Sequence, residues 1–299
     1  MRRDHSILNG VAAAGCIYCI YGLNSVFCKD IMNGGIISPY LLFTLRTSVA
    51  VILFWITSLF SAKEHIAPHD RARIIYASLL CIIIPQYASL VGLMYSSPFD
   101  ASLISSFKPV ITLILACIMG KEVFSIKKLS GIIIAIIGIW LLTINFNESN
   151  PIYQTTWQGL IILLTNGISF AFYLILFKDL TQKYSTITLM KWMLLIASLI
   201  SIPLSIKELP SLLHFTFDLK LTLEFVFIIL FATFICYLLM PIGQRNLTAT
   251  QYSILSYLQC IVASIFGIIM GLDELSLKKI AALLLIISGV AVIQKGAKS

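Results

Sequence analysis

The chain has 299 residues, 59% of them hydrophobic and only 11% charged, with a net charge of +8. A soluble domain carries about 25% charged residues, so the composition excludes an ordinary soluble fold. The positive balance has a simpler cause than nucleic-acid binding, because Lys and Arg collect in short connections between apolar runs, as in membrane proteins.

Ten such runs are predicted in chain order, at 7–28, 39–60, 73–94, 101–120, 129–145, 157–177, 187–206, 223–243, 250–270 and 278–294. Each is near the roughly 20 residues that cross about 30 Å of hydrocarbon as a helix. They are too long, and too little alternating, for transmembrane strands. The first run follows Arg2 and Arg3 but is of full spanning length, so it reads as a span and not as a signal peptide. The longest connections, 146–156 and 207–222, are too short for an extramembrane domain.

An N-terminus on the cytoplasmic side puts Arg2, Arg3, Lys63, Arg71, Arg73, Lys121, Lys127, Lys128, Lys178, Lys183, Arg245, Lys295 and Lys298 inside. Lys29, Lys207, Lys220, Lys278 and Lys279 then lie outside. Thirteen against five places both termini in the cytoplasm. The seven cysteines lie within or beside apolar runs and read as small hydrophobes. The four histidines lie in loops or tails, and His65 and His69 lack a third ligand, so no metal or other cofactor is expected.

The second half repeats the first. Shifted by 151 residues, Gly92 meets Gly243, Ser102 meets Ser253, Ser105 meets Ser256, Gly120 meets Gly271, Glu122 meets Asp273 and Lys127-Lys128 meets Lys278-Lys279. Near the start of each half a shift of 149 pairs Gly10 with Gly159 and Lys29-Asp30 with Lys178-Asp179. Five spans per half is an odd number, so the second copy enters from the opposite side. The predicted fold is an all-α membrane protein of ten transmembrane helices in two inverted five-helix repeats, 1–148 and 149–299. In such folds the solute site lies near mid-bilayer between the halves. Lys278-Lys279, outside where its twin is inside, is the one dissent from the charge rule.

Several motifs resemble the drug/metabolite transporter superfamily, and within it the EamA-type transporters. They are Tyr21-Gly22-Leu23-Asn24 with Lys29, Pro39 with Arg46, Tyr95-Ser96-Ser97-Pro98, Ala101-Ser102-Leu103 leading to Pro109, and the closing Gly120-Lys121-Glu122 and Gly271-Leu272-Asp273-Glu274. The resemblance spans nearly the whole chain. It implies a ten-helix fold, a central cavity, and export or exchange of small metabolites across the inner membrane. The chain departs from the family pattern at Gln259-Cys260, where an acidic or polar residue followed by Pro is usual.

Ionisable groups at membrane depth are costly and are functional candidates. Lys108 is the foremost. It sits about 12 Å into the fourth run at 1.5 Å per residue, with Ser105 and Thr112 on its face and Pro109 unable to donate to the carbonyl of Ser105. A cation beside a broken backbone suits a carboxylate or phosphate; the alternative is a lysine snorkelling to the interface. Gln259 holds the corresponding position in the second half. Asn24, Gln86, Tyr87, Asn166, Tyr173, Tyr237 and Tyr257 are the polar residues expected to line a wet path, with Pro85 and Pro241 shaping it. Arg46 and Lys191 are read as interfacial anchors. Ser102, Ser105, Ser106 and Pro109, with Ser253, Ser256, Cys260 and Ser264, are read as small residues that let helices approach. All thirteen acids fall in loops or at span ends, which disfavours a pump for bulky cations built on a central carboxylate.

The expected activity is secondary transport, exporting or exchanging a small-molecule solute such as an amino acid; the alternative is an antiporter of phosphorylated sugars or nucleotide-sugars. The expected setting is a lipid bilayer, the bacterial inner membrane, with no nucleic-acid partner and no enzymatic activity. A monomer already completes one pathway.

Overall fold

The computed structural model describes residues 2–33, 37–62, 64–120, 126–143, 155–210, 218–247, 255–274 and 276–296. The described residues are helical, without strands: α1 (Arg2–Asn33), α2 (Pro39–Leu59), α3 (Pro68–Ser78), α4 (Ile84–Met94), α5 (Pro98–Ser105), α6 (Lys108–Ile118), α7 (Ile126–Thr143), α8 (Trp157–Leu176), α9 (Lys178–Lys183), α10 (Thr186–Ser205), α11 (Leu219–Val226), α12 (Cys236–Asn246), α13 (Tyr257–Ile269) and α14 (Leu277–Gly296). Seven helical runs are long and apolar enough to cross a bilayer: Ile7–Asn33, Pro39–Leu59, Pro68–Met94, Pro98–Ile118, Trp157–Leu176, Thr186–Ser205 and Leu219–Met240. Lys128–Leu142 and Tyr257–Ile269 are shorter apolar helices.

Helix starts follow local chemistry. Ser38, Ser97, Thr156, Ser185 and Asp218 each accept a bond from the backbone N–H three residues on, and Pro39 and Pro98 occupy first-turn positions where no N–H is needed. Gly120 and Gly271 follow α6 and α13 with φ of +67° and +66°, a left-handed conformation that only glycine adopts without strain.

The third, fourth and seventh of the spanning runs are interrupted. Leu79–Ile83 is a π-helical turn joining α3 to α4, and Phe227–Ile235 is another joining α11 to α12. Pro85 in the first turn of α4 has no N–H to offer the preceding turn. The carbonyl of Leu80, five residues earlier, instead accepts the Ser169 hydroxyl of α8 at 3.0 Å. In the second π segment Thr233 Oγ1 donates to the carbonyl of Ile228, again five residues earlier, at 2.9 Å. Pro109 behaves similarly: α5 ends in a turn at Ser106–Phe107, and Pro109 falls in the first turn of α6.

The main helix pairs are α7 with α14, α2 with α10, α4 with α8, α1 with α12 and α13, and α6 with α8. The tightest backbone approach among the described glycines is Gly131 against Gly289, where a Cβ on either would come within 2.6 Å of the other's carbonyl oxygen. Polarity is inverted relative to a soluble protein. Large apolar side chains such as Leu8, Ile52, Phe60, Ile133, Trp140 and Leu199 face outward, while Thr44, Thr47, Ser198, Ser201 and Ser205 are buried. Those hydroxyls form a ladder between α2 and α10: Thr44 donates to the Ser201 carbonyl (3.1 Å), Ser205 donates to Thr44 (2.9 Å), and Ser48 pairs with Ser198 (3.0 Å). Hydroxyl bonds of this kind join helices where lipid supplies no hydrophobic drive.

The α4–α5 corner is held by charge. Lys29 Nζ donates to the carbonyls of Leu93 and Met94 at 2.8 and 3.2 Å, capping the C-terminal end of α4. Asp273 Oδ2 accepts from the backbone N–H of Phe99 at 2.9 Å, in the first turn of α5. Lys279, 2% exposed, is ion-paired with Asp273 and also donates to Ser97. Lys279 is thus a buried structural charge and not a free loop cation. Lys279→Met is expected to destabilise the fold by about 3–5 kcal/mol, because it strands the Asp273 carboxylate. Lys279→Met with Asp273→Asn is expected to lose less than the sum of the singles, as read from thermal unfolding of the detergent-solubilised protein.

Candidate functional site

Lys108 opens α6 with a half-buried side chain, its ammonium 5.3 Å from the centroid of the Phe170 ring on α8. Gly167, one turn earlier on α8, leaves room for the Lys108 stem; a Cβ there would come within 3.7 Å of Lys108 Cγ and 2.5 Å of Ile111. The Lys108 charge acts on Cys81, in the π turn before α4. Cys81 in turn lies within hydrogen-bonding reach of the Tyr173 hydroxyl of α8. Tyr237 of α12 shares that neighbourhood and accepts a bond from Gln86 Nε2 at 3.1 Å.

Arg46 differs from its sequence reading. It is 3% exposed, not snorkelling at an interface, and its Nε and Nη2 donate to Thr233 Oγ1 at 3.2 and 2.9 Å. The π segment makes this possible: the Thr233 hydroxyl points its own proton at Ile228 and keeps its lone pairs for the guanidinium. The Arg46 charge also acts on Tyr237, Cys236 and Cys28. Lys191 places its ammonium 5.2 Å from the centroid of the Trp55 ring.

The predicted site residues therefore divide. Lys108, Gln86, Tyr173 and Tyr237 form one connected neighbourhood with Cys81, Phe170 and, through Tyr237, Arg46. Gln259 is occupied by the chain itself, donating to the Ser102 carbonyl at 2.6 Å and to Ser106 Oγ at 3.2 Å. Ser106 also donates to the Ser256 carbonyl at 3.2 Å, and Ser25 pairs with Ser102 at 3.1 Å, so the small-residue stripe joins α1, α5 and α13. Asn24 accepts from the Cys28 thiol at 3.6 Å. Tyr87 packs against Phe43 and Tyr40, and Ser105 is half-buried near the end of α5. Asn166 Oδ1 and the hydroxyls of Tyr87 and Tyr257 are buried without a hydrogen-bond partner among the described residues. Ser253 and Glu122, and the side chains of Lys127 and Pro241, lie outside the described residues.

Cys81, Phe170 and Thr233 were not singled out from the sequence. Phe170 was within reach of that reading, since Asn166, Ser169, Phe170 and Tyr173 follow helical spacing on α8. Thr233 was not, because only the π register turns it toward Arg46. Among the described residues no group of three or more His, Cys, Asp or Glu side chains is placed to hold a metal ion.

The opposite end of α3 carries a second charged cluster. Asp70, fully buried, bonds Lys183 (2.5 Å), Tyr184 (2.8 Å) and Arg73 (3.1 Å), and Arg73 continues to Asp179 at 2.7 Å. The Tyr184 hydroxyl also accepts from the Ala67 N–H at 3.1 Å, and Glu64 accepts from the N–H of Ser185 at 2.9 Å.

Apolar helices with polar groups turned inward define a multi-pass membrane protein. The EamA-like transporter family profile matches twice, over residues 8–144 and 157–294, and the chain belongs to that family. A relative from Archaeoglobus fulgidus named "Uncharacterized transporter" is 25% identical over 257 residues, covering 86% of this chain and 89% of its own. Bacillus subtilis "Uncharacterized transporter YyaM" is 24% identical over 197 residues, covering 66% of this chain and 65% of its own. A solved structure titled "Crystal structure of protein" shares the fold with TM-score 0.63 and 14% identity, over 99% of this chain and 98% of its own.

Thr233→Val removes the acceptor that the buried Arg46 uses. It is expected to cost about 1–3 kcal/mol, seen as a lower unfolding temperature in detergent, while Thr233→Ser retains most of the stability.

Proposed function

We propose that the chain is a secondary transporter that exports or exchanges small metabolites such as amino acids across the inner membrane. In this reading it has ten transmembrane helices in two inverted repeats, 1–148 and 149–299, with both termini cytoplasmic. It is a carrier and not an enzyme, in keeping with its family.

The observation that carries the architecture is the exchange pattern of helix contacts. α1 packs on α12 and α13, and its counterpart α8 packs on α4 and α6, while α2 with α10 and α7 with α14 pair with their own counterparts. A two-fold relation between halves generates this set of pairs. The two π segments, and Gly120 with Gly271, fall at matching places and support the same relation. Pathways between inverted halves suit alternating access around a fixed central site.

For the solute, Lys108 is the charged contact, with Gln86, Tyr173 and Tyr237 around it. Among the described residues the carboxylates stay at the ends of the spans, which favours a substrate carrying a carboxylate. The inward burial of Arg46 favours the second reading, a phosphorylated sugar or nucleotide-sugar, because a dianion calls for more than one cation.

Proteoliposome uptake without ATP tests both. Amino acids as competitors and no effect of sugar phosphates support the first reading; the reverse supports the second. Lys108→Gln is expected to weaken apparent affinity about tenfold or more, as a hydrogen bond to a charged group is worth about 1.5–3 kcal/mol. Unchanged flux in that variant removes Lys108 from the site.

A further inference from the structure

Asp30, near the C-terminal end of α1, meets the first turns of α11. Lys220 Nζ lies 2.5 Å from Asp30 Oδ2 and 3.8 Å from Glu224 Oε1. Glu224 is 4% exposed, and the Asp30 carboxyl is within hydrogen-bonding reach of it. Glu224 Oε2 is buried and receives no hydrogen bond among the described residues.

Glu224 Oε2 is therefore left without a donor among the described residues. Lys220 serves Asp30. The remaining groups near Glu224 do not make up the difference: Asp218 caps α11 by accepting from Leu221, Cys28 donates to Asn24, Arg46 of α2 is held by Thr233, and Lys29 turns away to the α4 carbonyls. Two facing carboxylates that share one lysine repel each other, and a proton on the buried one removes that repulsion.

We propose that Glu224 is a proton-binding site, and that a proton on its carboxyl, held against Asp30, latches α11 to α1. With the proton bound, the Asp30–Lys220–Glu224 group is neutral and α11 stays against α1. When the proton leaves, one net negative charge remains, the carboxylates repel, and the first turn of α11 separates from α1. Opening of that end of the path then releases a proton to the same side. This ties solute movement to a proton and rests on the transporter reading above.

Neither test uses a solute, so failure here is separable from failure of the solute assignment. Infrared difference spectra of the wild-type protein between acid and alkaline buffer are expected to contain a protonated-carboxyl band that Glu224→Gln removes. For movement, spin labels are attached at Asn33→Cys and Leu223→Cys in a full-length chain with its native cysteines replaced. The ratio of long to short label distance is expected to rise about tenfold per pH unit until the site is empty. With Glu224→Gln added, the short distance is expected at every pH, which also reports that the variant is folded. Absence of the wild-type band overturns the proposal, and so does an unaltered pH-dependent separation in the Glu224→Gln chain.

Discussion

Inside hydrocarbon a backbone group that loses its helical partner has no water to turn to. The rest of this structure follows from how that constraint is met where the helices break. Pro85 cannot bond the turn before it, and the π turn at Leu79–Ile83 passes the free carbonyl of Leu80 to Ser169. α4 ends against Lys29, and α5 begins against Asp273. Each repair comes from another part of the chain, so each break also ties distant segments together.

The same repairs set the chemistry of the interior. The first π turn carries Cys81 to Tyr173 and into the field of Lys108, while the second turns Thr233 toward Arg46. The two cations stand on the regular helices α2 and α6, and the π segments of neighbouring runs present Thr233 and Cys81 to them. The carboxylates are kept to the ends, where Asp70, Asp273 and Asp30 bind lysines.

Much of this was legible in the sequence. Seven of the ten apolar runs fall on helices long and apolar enough to span among the described residues, and Ser-Pro and Gly marked helix ends. The α5–α6 break at Pro109 was expected and is present. Features that depend on register between helices were hidden. Arg46 was read as an anchor because its depth in α2 looked interfacial, and nothing in a linear pattern reveals that the facing helix is π-wound. Gln259 was read as a ligand, yet its amide is occupied by Ser102 and Ser106, an arrangement visible only once α5 and α13 are side by side. Glu224 looked like a span-end acid because burial there depends on α1 closing over it.

Lys108 has an aromatic face beside it and no carboxylate bonded to it among the described residues. A carrier built around such a site does not cancel the charge of its cargo with an acidic neighbour. Moving one uncompensated elementary charge through a bilayer couples to voltage by about 2.3 kcal/mol per 100 mV. In the proposed carrier, an uncompensated charge on Lys108 would make turnover answer to the electrical potential across the bilayer as well as to the concentrations on either side.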